Sequence, residues 1–93
     1  MEIKHVKIQV YGRVQGVFFR DTARRVAKKL NLTGYAKNML DGCVLIEAEG
    51  PLDKLNELIE FSKIGPRWAH VDKIDYKFSD EIKNYSNFKI TFY

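Results

Sequence analysis

Among its 93 residues the chain has one cysteine, two histidines, one tryptophan and two prolines. A lone thiol, Cys43, rules out an intrachain disulfide, and one thiol with two scattered histidines makes no zinc-ligand set. Apolar runs are short, as in Val44-Leu45-Ile46, against the roughly 20 residues that a membrane-crossing helix needs. The opening stretch Met1-Glu2-Ile3-Lys4-His5 lacks the apolar core of a secretory leader. Only six glycines accompany the two prolines, which excludes collagen-like and low-complexity chains. These absences predict a cytoplasmic protein of a reducing compartment with no membrane partner.

What is present is the composition of an ordinary globular protein, 45% hydrophobic and 30% charged. A length of 93 residues is read as one domain, residues 1–93, with no room for a second substrate-binding lobe. Such a domain buries somewhat over roughly 60% of its unfolded surface, enough for a core without staples. Lysine and arginine number 16 against 12 aspartate and glutamate, a net charge of +4 that favours anionic partners only weakly and serves solubility as well.

Lys4 to Tyr11 alternates, with Val6, Ile8 and Val10 on one face, as in a half-buried strand. Gly12 to Gly16 interrupts it. Ala23, Val26, Ala27 and Leu30 then recur at three- and four-residue spacing, one face of a helix whose Arg24, Arg25, Lys28 and Lys29 are solvated. Asn31 to Gly34 ends that helix, Tyr35 to Asn38 makes a short strand, and Asp41-Gly42 signals a hairpin ahead of Cys43 to Glu49. Gly50-Pro51 opens a second helix that buries Leu55, Leu58, Ile59 and Ser62, and Gly65-Pro66 stops it. Val71 to Phe78 reads as a strand with Ile74, Tyr76 and Phe78 on its apolar face. Asn87 to Tyr93 alternates Phe88, Ile90 and Phe92 and can extend a sheet edge. The order predicts an α+β, ferredoxin-like two-layer sandwich (βαββαβ), an antiparallel sheet with two helices on one face. In that topology the first and second strands run the same way, so residues 12–20 and Asn38 meet at one edge.

Two segments there can carry chemistry. Gly12-Arg13-Val14-Gln15-Gly16-Val17-Phe18-Phe19-Arg20 joins a strand to a helix; its glycines let successive N–H groups converge, and a helix N-terminus completes a nest for an anion. Arg20 adds a planar fork that holds two oxygens of one phosphate. No Gly-Lys-Ser/Thr follows, and the glycines are four apart rather than two, so neither a Walker loop nor a Rossmann fingerprint is present. Spacing alone equally allows a plain turn with a solvated arginine. At Asn38 a neutral amide can orient a water beside an anion without repelling it, or can simply bond local backbone before the hairpin.

Together the segments resemble two signatures of the acylphosphatase family. The first runs from Val10 to Arg20; the second covers Gly34-Tyr35-Ala36-Lys37-Asn38-Met39-Leu40-Asp41-Gly42-Cys43-Val44 and runs on to Gly50-Pro51. The resemblance spans essentially the whole chain, Gly65-Pro66 and the aromatic last strand included. It implies a metal-independent hydrolase, without cofactor, that cleaves the carboxyl–phosphate bond of a small acyl phosphate. It further implies that Arg20 holds the phosphate, that backbone N–H groups of Gln15, Gly16, Val17, Phe18, Phe19 and Arg20 cradle it, and that Asn38 positions the attacking water. The chain departs from the family at Cys43, where small or hydroxyl residues are frequent, and at Ala23, where some members carry threonine. The missing cluster of histidine and carboxylates fits this chemistry, because a carboxylate leaves without a general acid.

The remaining reactive side chains have plainer readings. Cys43 is expected to be a packing or surface thiol rather than a nucleophile, His5 and His70 are expected at the surface, and Trp68 is expected in the core or at its rim. The loop that carries Arg67-Trp68 is expected to reach the edge occupied by Arg20. An RNA-binding module of the same element order would need aromatics in the middle of both central strands, and Cys43 to Glu49 has none but carries Glu47 and Glu49. A small-ligand sensing domain shares the fold but explains neither Arg20 nor Asn38. The protein is therefore expected to be a monomer with no nucleic-acid partner.

Overall fold

A computed structural model describes residues 2–92. Met1, at the start of the N-terminal stretch, and Tyr93, the end of the predicted last strand, lie outside the described residues. The elements are β1 (Ile3–Arg13), α1 (Phe19–Lys29), β2 (Thr33–Asn38), β3 (Val44–Pro51), α2 (Leu52–Ile64), β4 (His70–Ser79) and β5 (Phe88–Thr91). The strands form one sheet in the order β4-β1-β3-β2-β5.

The period-two alternation sets the register. Val6, Ile8 and Val10 of β1 face Ala48, Ile46 and Val44 of β3, and all six are fully buried on the helix side. α1 brings Phe19, Ala23 and Ala27 to the same core, and α2 brings Leu55, Leu58 and Ile59. The two alanines present almost no side chain between α1 and the sheet, so the helix backbone packs closely over β2 and β5 while α2 covers β1, β3 and β4. Asn31 ends α1 in the left-handed conformation, φ 57°, with Leu32 N–H returned to the Ala27 carbonyl at 2.9 Å.

Several local readings differ from the structure. The sheet is mixed: β5 adds to the free edge of β2 in parallel, not antiparallel. β1 is not interrupted at Gly12 but continues to Arg13 through an irregularity at Tyr11/Gly12, where its register against β4 shifts. The shift turns Val71 onto the face of Ile74 and Phe78, against the core, although it sits at an odd position. Tyr76 does share that apolar face, opposite Ile8 and edge-on to Phe78, but on the edge strand it stays half exposed.

His5 is not at the surface. It is 6% exposed, and its Nε2 lies 2.8 Å from Glu47 Oε1 on the sheet face away from the helices. The cause is non-local: the segment between β4 and β5 crosses this face. Glu49, itself buried, accepts the backbone N–H groups of Lys83 and Asn84, Tyr85 meets Tyr35 edge-on, and Tyr35 Oη donates to Glu47. Burial, and then the bond to Glu47, pushes the Tyr35 phenol well above its ordinary range.

Candidate active site

The loop from β1 to α1 is shaped by two glycines with different duties. At Gly12, φ 131°, a Cβ would lie 2.2 Å from the His70 carbonyl oxygen, so close approach of β4 demands glycine. At Gly16, φ 74°, space is open and the demand is purely conformational. Phe18 then takes the N-cap of α1 at φ 66°, a left-handed conformation uncommon for a bulky residue, with no side-chain cap on the helix. Its carbonyl accepts from Thr22 N–H at 3.0 Å and Thr22 Oγ1 at 2.8 Å. The first-turn N–H groups of α1 thus receive no capping side chain and sit at the positive end of the helix dipole.

Beside this turn lies a recess of about 300 Å³ lined by Val14, Gly16, Phe18, Phe19, Arg20, Asp21, Asn38, Ile90 and Phe92. It brings together the two side chains that the sequence singles out. Arg20 is tied at two points: Nη1 donates to the Thr91 carbonyl at 3.4 Å, and the guanidinium carbon sits 5.0 Å above the centre of the Phe92 ring. Asn38, at the end of β2, holds its Oδ1 buried and without a hydrogen-bond partner. An orphaned buried acceptor is costly unless something is meant to bond it. The lining's carboxylate, Asp21, is engaged by Arg24 at 2.7 Å and Arg25 at 2.9 Å.

Four of the six expected cradle residues, Gly16, Phe18, Phe19 and Arg20, line the recess; Gln15 and Val17 do not. The Gln15 side-chain amide donates to the Met39 and Cys43 carbonyls, fastening the loop to the β2–β3 hairpin, and Val17 packs against the core. The contribution of β5 lies beyond the sequence reading. Its apolar alternation marks an edge strand, but only its parallel pairing with β2 brings Thr91 and Phe92 to Arg20.

Cys43 is 1% exposed and its thiol is pushed up to about 11, first by burial and then by Asp41. Of the two places expected for this thiol, packed or at the surface, it takes the packed one. Asp41 is held below the usual carboxylate range by the Cys43 backbone N–H. His70 is at the surface, as expected, beside Asp72. Trp68 is neither core nor buried rim: it is 63% exposed, with Arg67 stacked on it, and neither residue lines the recess. Among the described residues no three His, Cys, Asp or Glu side chains gather to hold a metal ion. No described helix is long and apolar enough to cross a membrane. A larger depression of about 490 Å³, on the other sheet face under residues 83–87, contains neither Arg20 nor Asn38.

The acylphosphatase family model matches residues 6–90. An acylphosphatase of Salinibacter ruber is 45% identical over 87 residues, covering 94% of this chain and 92% of its own length. The crystal structure of acylphosphatase from Bacillus subtilis superposes with a TM-score of 0.92 at 38% identity, covering 95% of this chain and 98% of that one. An acylphosphatase structure from Coxiella burnetii gives a TM-score of 0.92 at 34% identity, covering 97% and 94%.

Proposed function

Because the chain belongs to the acylphosphatase family and its reaction is the hydrolysis of acyl phosphates, we propose that Arg20 clamps the phosphoryl group and Asn38 aims the water that attacks it. The observation that carries this reading is the unpartnered Asn38 Oδ1, buried in the same recess as the anchored guanidinium of Arg20.

In the proposed mechanism the Arg20 fork and the free N–H groups at the start of α1 take the non-bridging phosphoryl oxygens. Asn38 Oδ1 accepts a hydrogen bond from a water and so points the water's lone pair at phosphorus. The water oxygen forms the new P–O bond while the bond to the acyl oxygen breaks, and the electron pair of that bond leaves with the carboxylate. The water's proton passes to a phosphate oxygen. A carboxylate is stable as it departs, so positioning and charge stabilisation supply the catalysis, with no metal, cofactor or covalent intermediate.

Residues 1–93 act in this reading as one cytoplasmic domain and as a monomer whose partner is a small acyl phosphate. The absence of a nucleic-acid partner is supported by the sheet face opposite the helices, where Glu47 and Glu49 stand on the central strand and residues 83–87 cross over it. The test of the clamp is Arg20→Lys, which keeps the charge and loses the fork. Turnover should fall about a hundredfold to a thousandfold, the usual loss of one oriented donor, and phosphate affinity should fall with it. Retention of most activity by a folded Arg20→Lys protein overturns the reading.

A further inference from the structure

The lining of the recess is lopsided. Its polar side chains are Arg20, Asn38 and the ion-paired Asp21, and the other side chains are apolar: Val14, Phe18, Phe19, Ile90 and Phe92. Two of these rings are left in water, Phe18 at 72% and Phe92 at 68% exposure. The core uses neither. Phe18 also occupies a left-handed backbone position that asparagine or glycine adopts at less cost, so the chain tolerates strain to hold a large apolar ring at the mouth of the site.

A phosphoryl group held at Arg20 sets the acyl group further out by a bridging oxygen. The acyl group therefore leaves the polar side chains for the aromatic ones. Phe92 is fixed there by its contact with the guanidinium, and Phe18 by the turn that starts α1. A second anion on the acyl group would find Arg20 already taken by phosphate and Asp21 as the other charged group in the lining.

Resting on the Arg20–Asn38 reading, we propose that Phe18 and Phe92 form an acyl-group clamp, and that the enzyme selects acyl phosphates whose acyl group is uncharged and aromatic or bulky aliphatic. Short acyl groups leave the rings exposed, and acyl groups ending in a carboxylate desolvate that charge against them.

The experiment compares kcat/KM for benzoyl phosphate, acetyl phosphate and succinyl phosphate. Benzoyl phosphate should exceed acetyl phosphate by about tenfold, the scale set by a small apolar contact, and succinyl phosphate should not exceed acetyl phosphate. Phe18→Asn, which suits the left-handed backbone, and Phe92→Ala should each bring the benzoyl-to-acetyl ratio close to unity. The ratio is the readout, because both residues border the phosphate site and absolute rates will move. A ratio near unity in the wild type, a ratio unchanged in both variants, or a preference for succinyl phosphate overturns the clamp. Asn38→Ala, which leaves the contact between Arg20 and Phe92 in place, separates the two readings: it should lower all three substrates alike and keep the ratio. Turnover independent of Arg20 overturns the site reading, and the acyl clamp with it.

Discussion

Gln15 and Met39, 24 residues apart in sequence, are joined by a 2.8 Å hydrogen bond from the Gln15 side-chain amide to the Met39 carbonyl. The same amide nitrogen donates to the Cys43 carbonyl at 2.9 Å, so both of its hydrogens are spent on the β2–β3 hairpin. The β1–α1 loop and the hairpin that follows Asn38 are thereby held together. Both carbonyls also accept a backbone N–H, Met39 from Gly42 and Cys43 from Met39, so losing Gln15 leaves neither orphaned. Gln15→Leu should therefore cost only about 1 kcal/mol of stability while lowering kcat at least about tenfold, since small misplacements of a reacting group are expensive. Denaturant midpoints and steady-state kinetics check this; a loss confined to stability would show that the bonds position nothing.

Asn38→Ala leaves Arg20, its contacts to Thr91 and Phe92, and the α1 N-terminus in place. Inorganic phosphate should bind to the variant with affinity within about threefold of the wild type, while turnover at saturation falls at least about a hundredfold. Titration calorimetry with phosphate and saturated turnover are the measurements. Lost phosphate affinity with unchanged turnover would exchange the roles given to Arg20 and Asn38.

Much of the fold and of the site is legible in the sequence because the signals are local. Val6, Ile8 and Val10 alternate and are all buried; Leu55, Leu58, Ile59 and Ser62 recur at helical spacing and are all buried; Asp41-Gly42 sits at the hairpin. Each pattern depends on neighbours within a turn or a strand. Alternation misplaces His5 because its polar side of β1 is covered by the segment that follows β4, as the pairing of neighbouring Lys4 with Asp80 illustrates at a separation of 76. It misplaces Val71 because the register shift opposite Tyr11/Gly12 breaks the parity on which alternation relies. Phe92 shows only apolar alternation, and its contact with Arg20 depends on the direction in which β5 joins β2. Trp68 has no periodic context, and the preference of tryptophan for partly buried sites does not decide its place.

Among the described residues the recess offers a guanidinium, an amide and backbone N–H groups, but no acid placed to protonate a departing oxygen. Asp21 is, among the described residues, the one carboxylic group in the lining, and Arg24 and Arg25 pair with it. Leaving-group ability should therefore dominate selectivity. Acyl phosphates should be cleaved rapidly, and an alkyl phosphomonoester, whose alkoxide needs a proton, at least about a thousandfold more slowly. Treatment with a strong chelator should leave initial rates unchanged. Comparable rates on the two substrate types, or loss of activity on chelation, would require an acid or a metal beyond the groups described.

Cys43 supplies a check that separates packing from catalysis. Burial is the larger cause and Asp41 the lesser in raising its thiol from 9.0 to about 11. The folded state therefore holds the proton more tightly than the unfolded chain. Between about pH 9 and about pH 11 the folded protein binds more protons, so stability declines with rising pH across that window and the contribution is complete below it. Cys43→Ser keeps a small side chain beside Asp41 and does not titrate there. Tyr35, also raised by burial, is common to both proteins and cancels in their difference. Denaturant midpoints followed from pH 8 upward should thus fall more steeply for the wild type than for Cys43→Ser, while kcat at neutral pH is the same for both. A large loss of activity in the serine variant would place the thiol in the reaction after all, and parallel midpoints would mean that the buried sulfur is not what the alkaline limb reports.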